Sequence, residues 1–419
     1  MIDLLGPKSI AMLSDQLDAQ RSPTWQETRY ADEDCADTGY SIKDAFECPA
    51  QHLGIIYDQL GKAYTHKQRS IWEIRSSRGH KAAHVAHGLE CVINRHAMLR
   101  SVFVPSLDNR MEPIQVVLKE IYRGRSDCEG LRHQSGYGQI WWLFEFNKAL
   151  IDAASMIIVL QELATLLNCH SCPLDLAPSY SKYVSFVDEI KPEQCLRFWR
   201  RALRGIVPCL LIKSPSSLLR CPSPEPRVCT VSKELTALDT LAALLKASGF
   251  TATNAFQTVW GLVLARSIAP TDVCYGGLKS CRDAAVPGIL QMVGPLFNIL
   301  PCRLQFRSIH PTMSELSDIL LSNQSAMAER THHQHTSLQS IIEATGVDNH
   351  QLFNTCLMYK VVATVILSPS HCELRIRYWD DFFSEPEALD LLDRFCDTAT
   401  EVSTAVSSME LGTRETPFA

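Results

Sequence analysis

A chain of 419 residues is longer than one ordinary domain of about 100–200 residues and implies two or three. Hydrophobic residues make up 46% and charged residues 21%, far from the composition that keeps a chain disordered. The net charge of −6 offers no basic footprint for nucleic acid or an anionic membrane, and no apolar run reaches the ~20 residues that span a bilayer.

The N-terminus, MIDLLGPKSIAMLSDQLD, carries early acids and lacks a basic segment followed by a long apolar core, so it does not read as a secretory signal. Residues 1–44 read as a polar, acidic extension with a short amphipathic stretch (Ile10, Met12, Leu13, Leu17). The sixteen cysteines are scattered, many in apolar contexts such as Cys91, Cys274, Cys302 and Cys356, as expected of reduced thiols in a cytoplasmic protein. Cys169-His170-Ser171-Cys172 is a lone CxxC without the second pair that a zinc site wants.

From Phe46 the chain becomes regular. Ala82, Val85, Leu89, Val92 and Ile93 predict a helix over 77–95, leading into a strand at Ser101-Val102-Phe103-Val104. QIWWLFEF, residues 139–146, is aromatic and β-branched and predicts a buried strand, followed by a polar turn and a helix to about Leu167. Residues 207–226 are rich in Pro and Ser and predict a linker. Beyond it, helices are predicted at 233–248, 253–267, 313–329 and 385–404, with strands at 272–279, 300–307, 353–361 and 371–379. Strands alternating with helices on both sides of a linker imply an α/β protein of two lobes, 45–206 and 227–419.

Six segments then match one family in order. Phe46-Glu47-Cys48-Pro49-Ala50-Gln51 resembles "YPCTPLQ", and Asn94-Arg95-His96-Ala97-Met98-Leu99-Arg100 resembles "xRHxxLR". Phe198-Trp199 with Leu203 resembles "FWxxxL", and Asp272 to Gly276 with Ser280-Cys281-Arg282-Asp283 resembles "DVxFGxxxSGRD". Val293 to Arg303 resembles "VGPxxNTxPxR", and His335-Thr336 with Phe353-Asn354-Thr355 resembles "HxxxxL … FNT". The chain therefore resembles condensation domains of nonribosomal peptide synthetases, most of all the fungal terminal, macrocyclising kind. The resemblance implies two chloramphenicol-acetyltransferase-like lobes in a V-shaped pseudo-dimer with a central tunnel, open to carrier-tethered substrates from both faces. It also implies an "HHxxxDG" loop in the tunnel whose second His assists attack of an amine or alcohol on a thioester.

Here that loop reads Asn147-Lys148-Ala149-Leu150-Ile151-Asp152-Ala153, and only the Asp survives. A His titrating near pH 6.5 exchanges protons readily, whereas Lys starts near 10.4 and needs about 4 kcal/mol of desolvation or like-charge pressure to serve as a base at neutral pH. Three roles for Lys148 stay open. As a cation it binds an anionic substrate or a developing oxyanion or enolate; as a neutral amine it abstracts a proton or forms a Schiff base; or it forms an ordinary salt bridge or points to solvent. Asn147 either donates or accepts beside it or supports the loop. The resemblance implies that Asp152 pairs with Arg282 as a structural salt bridge. Ser155 falls where many members carry a hydroxyl, and it reads as a helix cap or a tunnel residue.

Tyr275, Asn298, Asn354 and Tyr359 come from strands that the resemblance places along the tunnel, and Cys281 replaces the glycine of "SGRD". His335 belongs to a cluster with His332 and His333 near the second lobe's channel, and is a candidate substrate contact. His80, His84 and His87 share a helix face but read as solvated, so no metal and no cofactor is expected.

The first expectation is a freestanding, cytoplasmic, monomeric enzyme of secondary metabolism. It would use the tunnel for non-standard chemistry (cyclisation, isomerisation or cycloaddition of a small polyketide- or peptide-derived substrate). The alternatives are an amide- or ester-forming acyltransferase with Lys148 as base, and a non-catalytic scaffold that docks carrier proteins. The expected partner is a small molecule, tethered to a carrier protein or not, with no nucleic acid and no membrane.

Overall fold

The computed structural model describes residues 41–61, 67–75, 81–104, 113–119, 139–168, 175–211, 227–234, 248–268, 271–347, 352–355, 361–368, 371–380 and 382–414. The chain divides into two compact units, Met1–Lys191 with Ser280–Phe297 and Pro192–Lys279 with Asn298–Ala419.

In the first unit β1 (Ile42–Glu47) pairs antiparallel with β4 (Ile114–Leu118), which also pairs with β3 (Ser101–Val104). The sequences SVFV and IQVVL are buried throughout, and Val102, Val104, Ile114, Val116 and Leu118 form their own core cluster. The single polar side chain in β4, Gln115, donates to Ser101 Oγ at 3.0 Å, which removes the cost of burying an unpaired amide. A second pair joins β2 (Lys67–Arg75) to β5 (Gln139–Asn147), with Trp72 opposite Trp142 and Lys67 opposite Asn147. The helices are α1 (Ala50–Gly61), α2 (Ala82–Arg95), α3 (Ala153–Asn168) and α4 (Ser181–Asp188). On α2 the buried residues Val85, Leu89 and Val92 recur at helical spacing. Glu162 of α3 accepts from His96 at 2.8 Å and from Arg95 at 3.1 Å, so "xRHxxLR" ties helix to helix. Burial pushes the Glu162 carboxyl up, but His96 and Arg95 outweigh it and leave it below its ordinary value.

In the second unit β10 (His371–Trp379) lies between β6 (Val228–Glu234) and β9 (Val361–Ser368), antiparallel to both, and β7 (Asp272–Ser280) pairs with β8 (Phe297–Gln305). Its helices are α5 (Pro192–Ala202), α6 (Ala252–Ile268), α7 (Met313–Thr331), α8 (Leu338–Thr345) and α9 (Glu385–Arg414). Helix α6 is buried almost all round from Asn254 to Ala265. Helix α9 buries one stripe, Ala388, Leu391, Leu392, Phe395, Ala399, Val402 and Val406. Thr312 and Glu315 close α7 with a capping box.

Several expectations differ from this fold. The extension ends earlier than residue 44, because Ile42 already pairs with Leu118; its amphipathic stretch lies outside the described residues. The boundary falls at Lys191/Pro192 rather than at residue 206, because Phe198, Trp199 and Leu203 pack into the second unit's core. Within the expected linker, Cys209 bridges Phe353 and Leu211 bonds Asn354, while 212–226 lie outside the described residues. Residues 280–297 return to the first unit, which a linear reading does not anticipate. Lys233 and Glu234 end a strand instead of starting a helix. The strand expected at 353–361 begins at Val361, preceded by bridges at Phe353 and Thr355. Strands β1, β2, β4 and β6 and helices α1, α4, α5 and α8 went unpredicted, since short apolar or mixed runs carry little periodicity of their own.

Candidate functional site

The loop that replaces "HHxxxDG" connects β5 to α3 in the first unit. Asn147 is the last residue of β5. Its Oδ1 accepts the Ala149 N–H at 2.8 Å, and its carbonyl accepts from Leu150 at 3.0 Å and Ile151 at 3.3 Å. This is the turn that a short amide side chain forms with backbone two residues on. Its other polar end, Nδ2, is buried without a hydrogen-bond partner among the described residues. Lys148 follows, half-buried, while Ala149, Leu150 and Ile151 are buried.

Asp152 ends the loop and caps α3, its Oδ1 accepting the Ser155 N–H at 2.7 Å. Arg282 spends all five N–H donors. Nη2 gives one to Asp152 Oδ1 at 2.8 Å and one to Ser155 Oγ at 2.9 Å, and Nε gives one to Asp152 Oδ2 at 3.3 Å. Nη1 serves the carbonyls of Ile289 at 3.1 Å and Met292 at 2.9 Å. Both side chains of the ion pair are nearly buried, at 9% and 12% exposure.

Ser155 is not the cap; Asp152 is. The Ser155 hydroxyl donates to the Gly294 carbonyl at 2.8 Å and accepts the Gly294 N–H at 3.0 Å besides its bond from Arg282. It pins the "VGP" turn to α3. Replacing Ser155 with Ala strands the Gly294 N–H, while the Gly294 carbonyl keeps the Leu296 N–H at 2.9 Å, and is expected to cost about 1–3 kcal/mol, read as a lower urea midpoint at unchanged slope. A Cβ at Gly294 would collide with the ring of Tyr180, which explains a glycine there.

Next to this knot lies a buried pair that the sequence reading missed. His52 Nε2 stands 3.3 Å from the Phe297 carbonyl, an acceptor only, so Nε2 carries the proton and Nδ1 accepts from Tyr180 Oη at 3.1 Å. Burial lowers the His52 pKa to about 4 and raises that of Tyr180 well above its ordinary value. The signal was within reach, since His52 directly follows Gln51 of the opening motif. Gln51 donates to Tyr183 Oη at 2.8 Å. Cys281 is fully buried and bonds Tyr183. Burial suits packing better than nucleophilic attack.

The remaining candidates lie in the second unit. Tyr275 Oη donates to the Gln257 carbonyl at 2.6 Å. Asn298 gives Nδ2 to the carbonyls of Gln334 at 2.7 Å and Thr336 at 2.8 Å, while Oδ1 accepts from Ile299 at 2.8 Å. Asn354 exchanges two bonds of 2.8 Å with the backbone of Leu211. These polar groups are thus spent on backbone. His335 is half-buried, with Nε2 3.4 Å from Gln334 Nε2; Tyr359 lies outside the described residues. His333 stacks on Phe198 at 4.2 Å and approaches Cys195 Sγ at 3.5 Å. His84 and His87 are exposed, and His80 and the CxxC lie outside the described residues. Among the described residues no group of three His, Cys, Asp or Glu side chains is arranged to hold a metal, no disulfide forms, and no helix is long and apolar enough to cross a membrane.

Two mixed α/β units with this loop at a strand–helix junction define a class. The condensation domain of the monacolin K polyketide synthase MokA superposes with a TM-score of 0.70 at 13% identity, covering 87% of this chain and 98% of that one. The first condensation domain of the CDA synthetase superposes with a TM-score of 0.66 at 14% identity, covering 87% and 96%. The fold is that of condensation domains, chloramphenicol-acetyltransferase-like in architecture. Residues 132–366 match the family model "Condensation domain", and the chain belongs to that family, whose members in nonribosomal peptide synthetases are acyltransferase-type enzymes. It is 30% identical to nonribosomal peptide synthetase dtpA of Aspergillus flavus over 85% of its length, and 28% identical to nonribosomal peptide synthase roqA of Penicillium rubens over 84%. It spans only 16% and 17% of those two relatives.

Proposed function

We propose that this condensation-domain relative is an enzyme of fungal natural-product biosynthesis in which Lys148 and Asn147 replace the proton-shuttling imidazoles with a cation and a fixed hydrogen-bond donor. The observation that carries the reading is the Asn147 side chain. Its Oδ1 is held by the Ala149 N–H, which fixes the plane of the amide, and its buried Nδ2 has no hydrogen-bond partner among the described residues. A buried donor left unpaired costs about 1–3 kcal/mol, which a substrate oxygen bound there would recover. Beside it, the Lys148 ammonium suits an oxyanion or enolate better than it suits general-base work.

Chemistry governed by positioning and one developing negative charge fits such a pair: cyclisation, isomerisation or cycloaddition of a small polyketide- or peptide-derived substrate, reached along the family's channel. Asp152 and Arg282 hold the loop and move no proton. Family membership favours a second reading, amide or ester formation on a carrier-tethered substrate with Lys148 as base.

The test is metabolite profiling by mass spectrometry in a producing strain carrying Lys148→Ala, Lys148→His or Asn147→Ala. Removing the cation or the donor is expected to lower product about 100- to 1000-fold, the usual effect of deleting an oxyanion-stabilising donor. Lys148→His separates the readings, because an imidazole restores base catalysis but not a permanent charge. Full product from all three variants would remove the loop from the chemistry and leave a carrier-docking scaffold.

A further inference from the structure

The second unit contains a cleft of about 430 Å³ between α5, β8 and α7, separate from the Asn147–Asp152 loop. Its apolar wall is built from Phe198, Leu203, Leu304, Ile319 and Ala326. At its inner side stands Arg330, near the end of α7 and only 8% exposed. Its guanidinium gives two hydrogen bonds, both from Nη2 and both long, 3.3 Å to Asn323 Oδ1 and 3.4 Å to Gln257 Oε1. Nε and Nη1 donate to no described residue, and no described carboxylate pairs with Arg330.

Asn323 is not a loose amide that settles around the cation. Asn323 Nδ2 donates to Asn254 Oδ1 at 2.8 Å, and Asn254 Nδ2 donates to the Leu320 carbonyl at 2.8 Å, so α6 and α7 hold this network rigidly. The other arginines of the cleft are paired or exposed. Arg201 pairs with Glu329 at 2.9 Å, Arg303 pairs with Asp272 at 2.6 Å, and Arg307 is exposed to solvent. One buried positive charge is therefore left over, against an apolar wall. A buried cation without a counter-ion is costly, and a guanidinium is the side chain best shaped to accept a carboxylate.

We propose that this cleft binds a small monocarboxylic acid with an aliphatic or aromatic body, its carboxylate against Arg330 and its body along the apolar wall. The volume suits a small organic ligand. A single negative charge matches Arg330, the one buried cation of the lining without a counter-ion among the described residues, while Asp318 and Glu315 on the same lining disfavour a dianion. The site uses none of the residues assigned to the reaction above, so its success or failure is independent of that assignment.

The test is titration calorimetry of the full chain with sodium octanoate, methyl octanoate and octyl phosphate, at fixed ionic strength. Octanoate is expected to bind, and the ester and the phosphate about tenfold or more weakly. Arg330→Gln is expected to lose about tenfold or more, with Arg330→Lys intermediate, since an ammonium keeps the charge but not the fork. Ser322→Trp, on the exposed face of the lining, narrows the cleft with Arg330 intact and is expected to weaken octanoate, which guards against misfolding of the Arg330 variants. No heat with octanoate, ester binding equal to that of the acid, tighter binding of octyl phosphate, or a folded Arg330→Gln protein that binds as wild type would each overturn the proposal.

Discussion

Replacing Arg282 with Met is expected to lower the stability of the first unit by about 3–5 kcal/mol, the range for stranding one partner of a buried ion pair. Stranding is severe here because, among the described residues, no cation other than Arg282 pairs with Asp152. Its Oδ1 already accepts the Ser155 N–H, and the charge on the carboxylate would remain with a single backbone donor. The loss spreads further, since the Met292 carbonyl loses the Arg282 donor, the Ile289 carbonyl keeps only the Met292 N–H, and Ser155 Oγ loses one donor. Arg282→Lys is expected to fail nearly as badly. An ammonium is a point with three donors and cannot span a carboxylate, a hydroxyl and two carbonyls. Urea unfolding followed by circular dichroism measures the effect. Asp152→Ala with Arg282→Met in one chain should cost clearly less than the two single changes added, because removing both leaves no unpaired charge. A single-variant loss within about 1 kcal/mol of wild type would mean that the pair is surface-like in its energetics.

His52 is expected to make the first unit acid-sensitive in a defined window. In the unfolded chain it takes up a proton near pH 6.5, and in the folded protein only near 4. Between those values the unfolded state binds more protons, so stability falls as pH drops from 6.5 toward 4 and is fully present above 6.5. The whole step is worth about 3 kcal/mol. Desolvation is the main cause, and the Phe297 carbonyl and the charge of Asp152 offset it only in part. His52→Gln removes the titrating group and should flatten the stability–pH curve across that window, whatever it does to the absolute stability at pH 7. Urea midpoints measured at half-unit steps from pH 4 to 7 decide it; parallel curves for the two proteins would show that His52 is accessible to protons in the native state.

Elements with their own periodicity were readable in the chain. The helix at Ala252–Ile268, the strand at Ser101–Val104 and the aromatic strand ending at Asn147 all announce themselves by residue type, because runs rich in apolar, β-branched and aromatic residues are those that a core selects. Strand Lys67–Arg75 has no such pattern, and its place depends on nine residues of Gln139–Asn147 lying opposite. The closing helix was found at the right start, Glu385, but runs to Arg414 rather than 404.

Local residue order alone determined two things: that the loop at 147–153 has lost both imidazoles, and that Asp152 and Arg282 stand in matching motifs. Tertiary structure decided what those residues touch. Ser155 reads as a cap in isolation because capping is a contact over three residues, but its hydroxyl reaches Gly294, 139 residues away. The open amide of Asn147, the proton-shy His52 and the uncompensated Arg330 are equally invisible in one dimension. Whether a polar group is satisfied depends on every chain segment packed around it, and a linear pattern records only which face is buried.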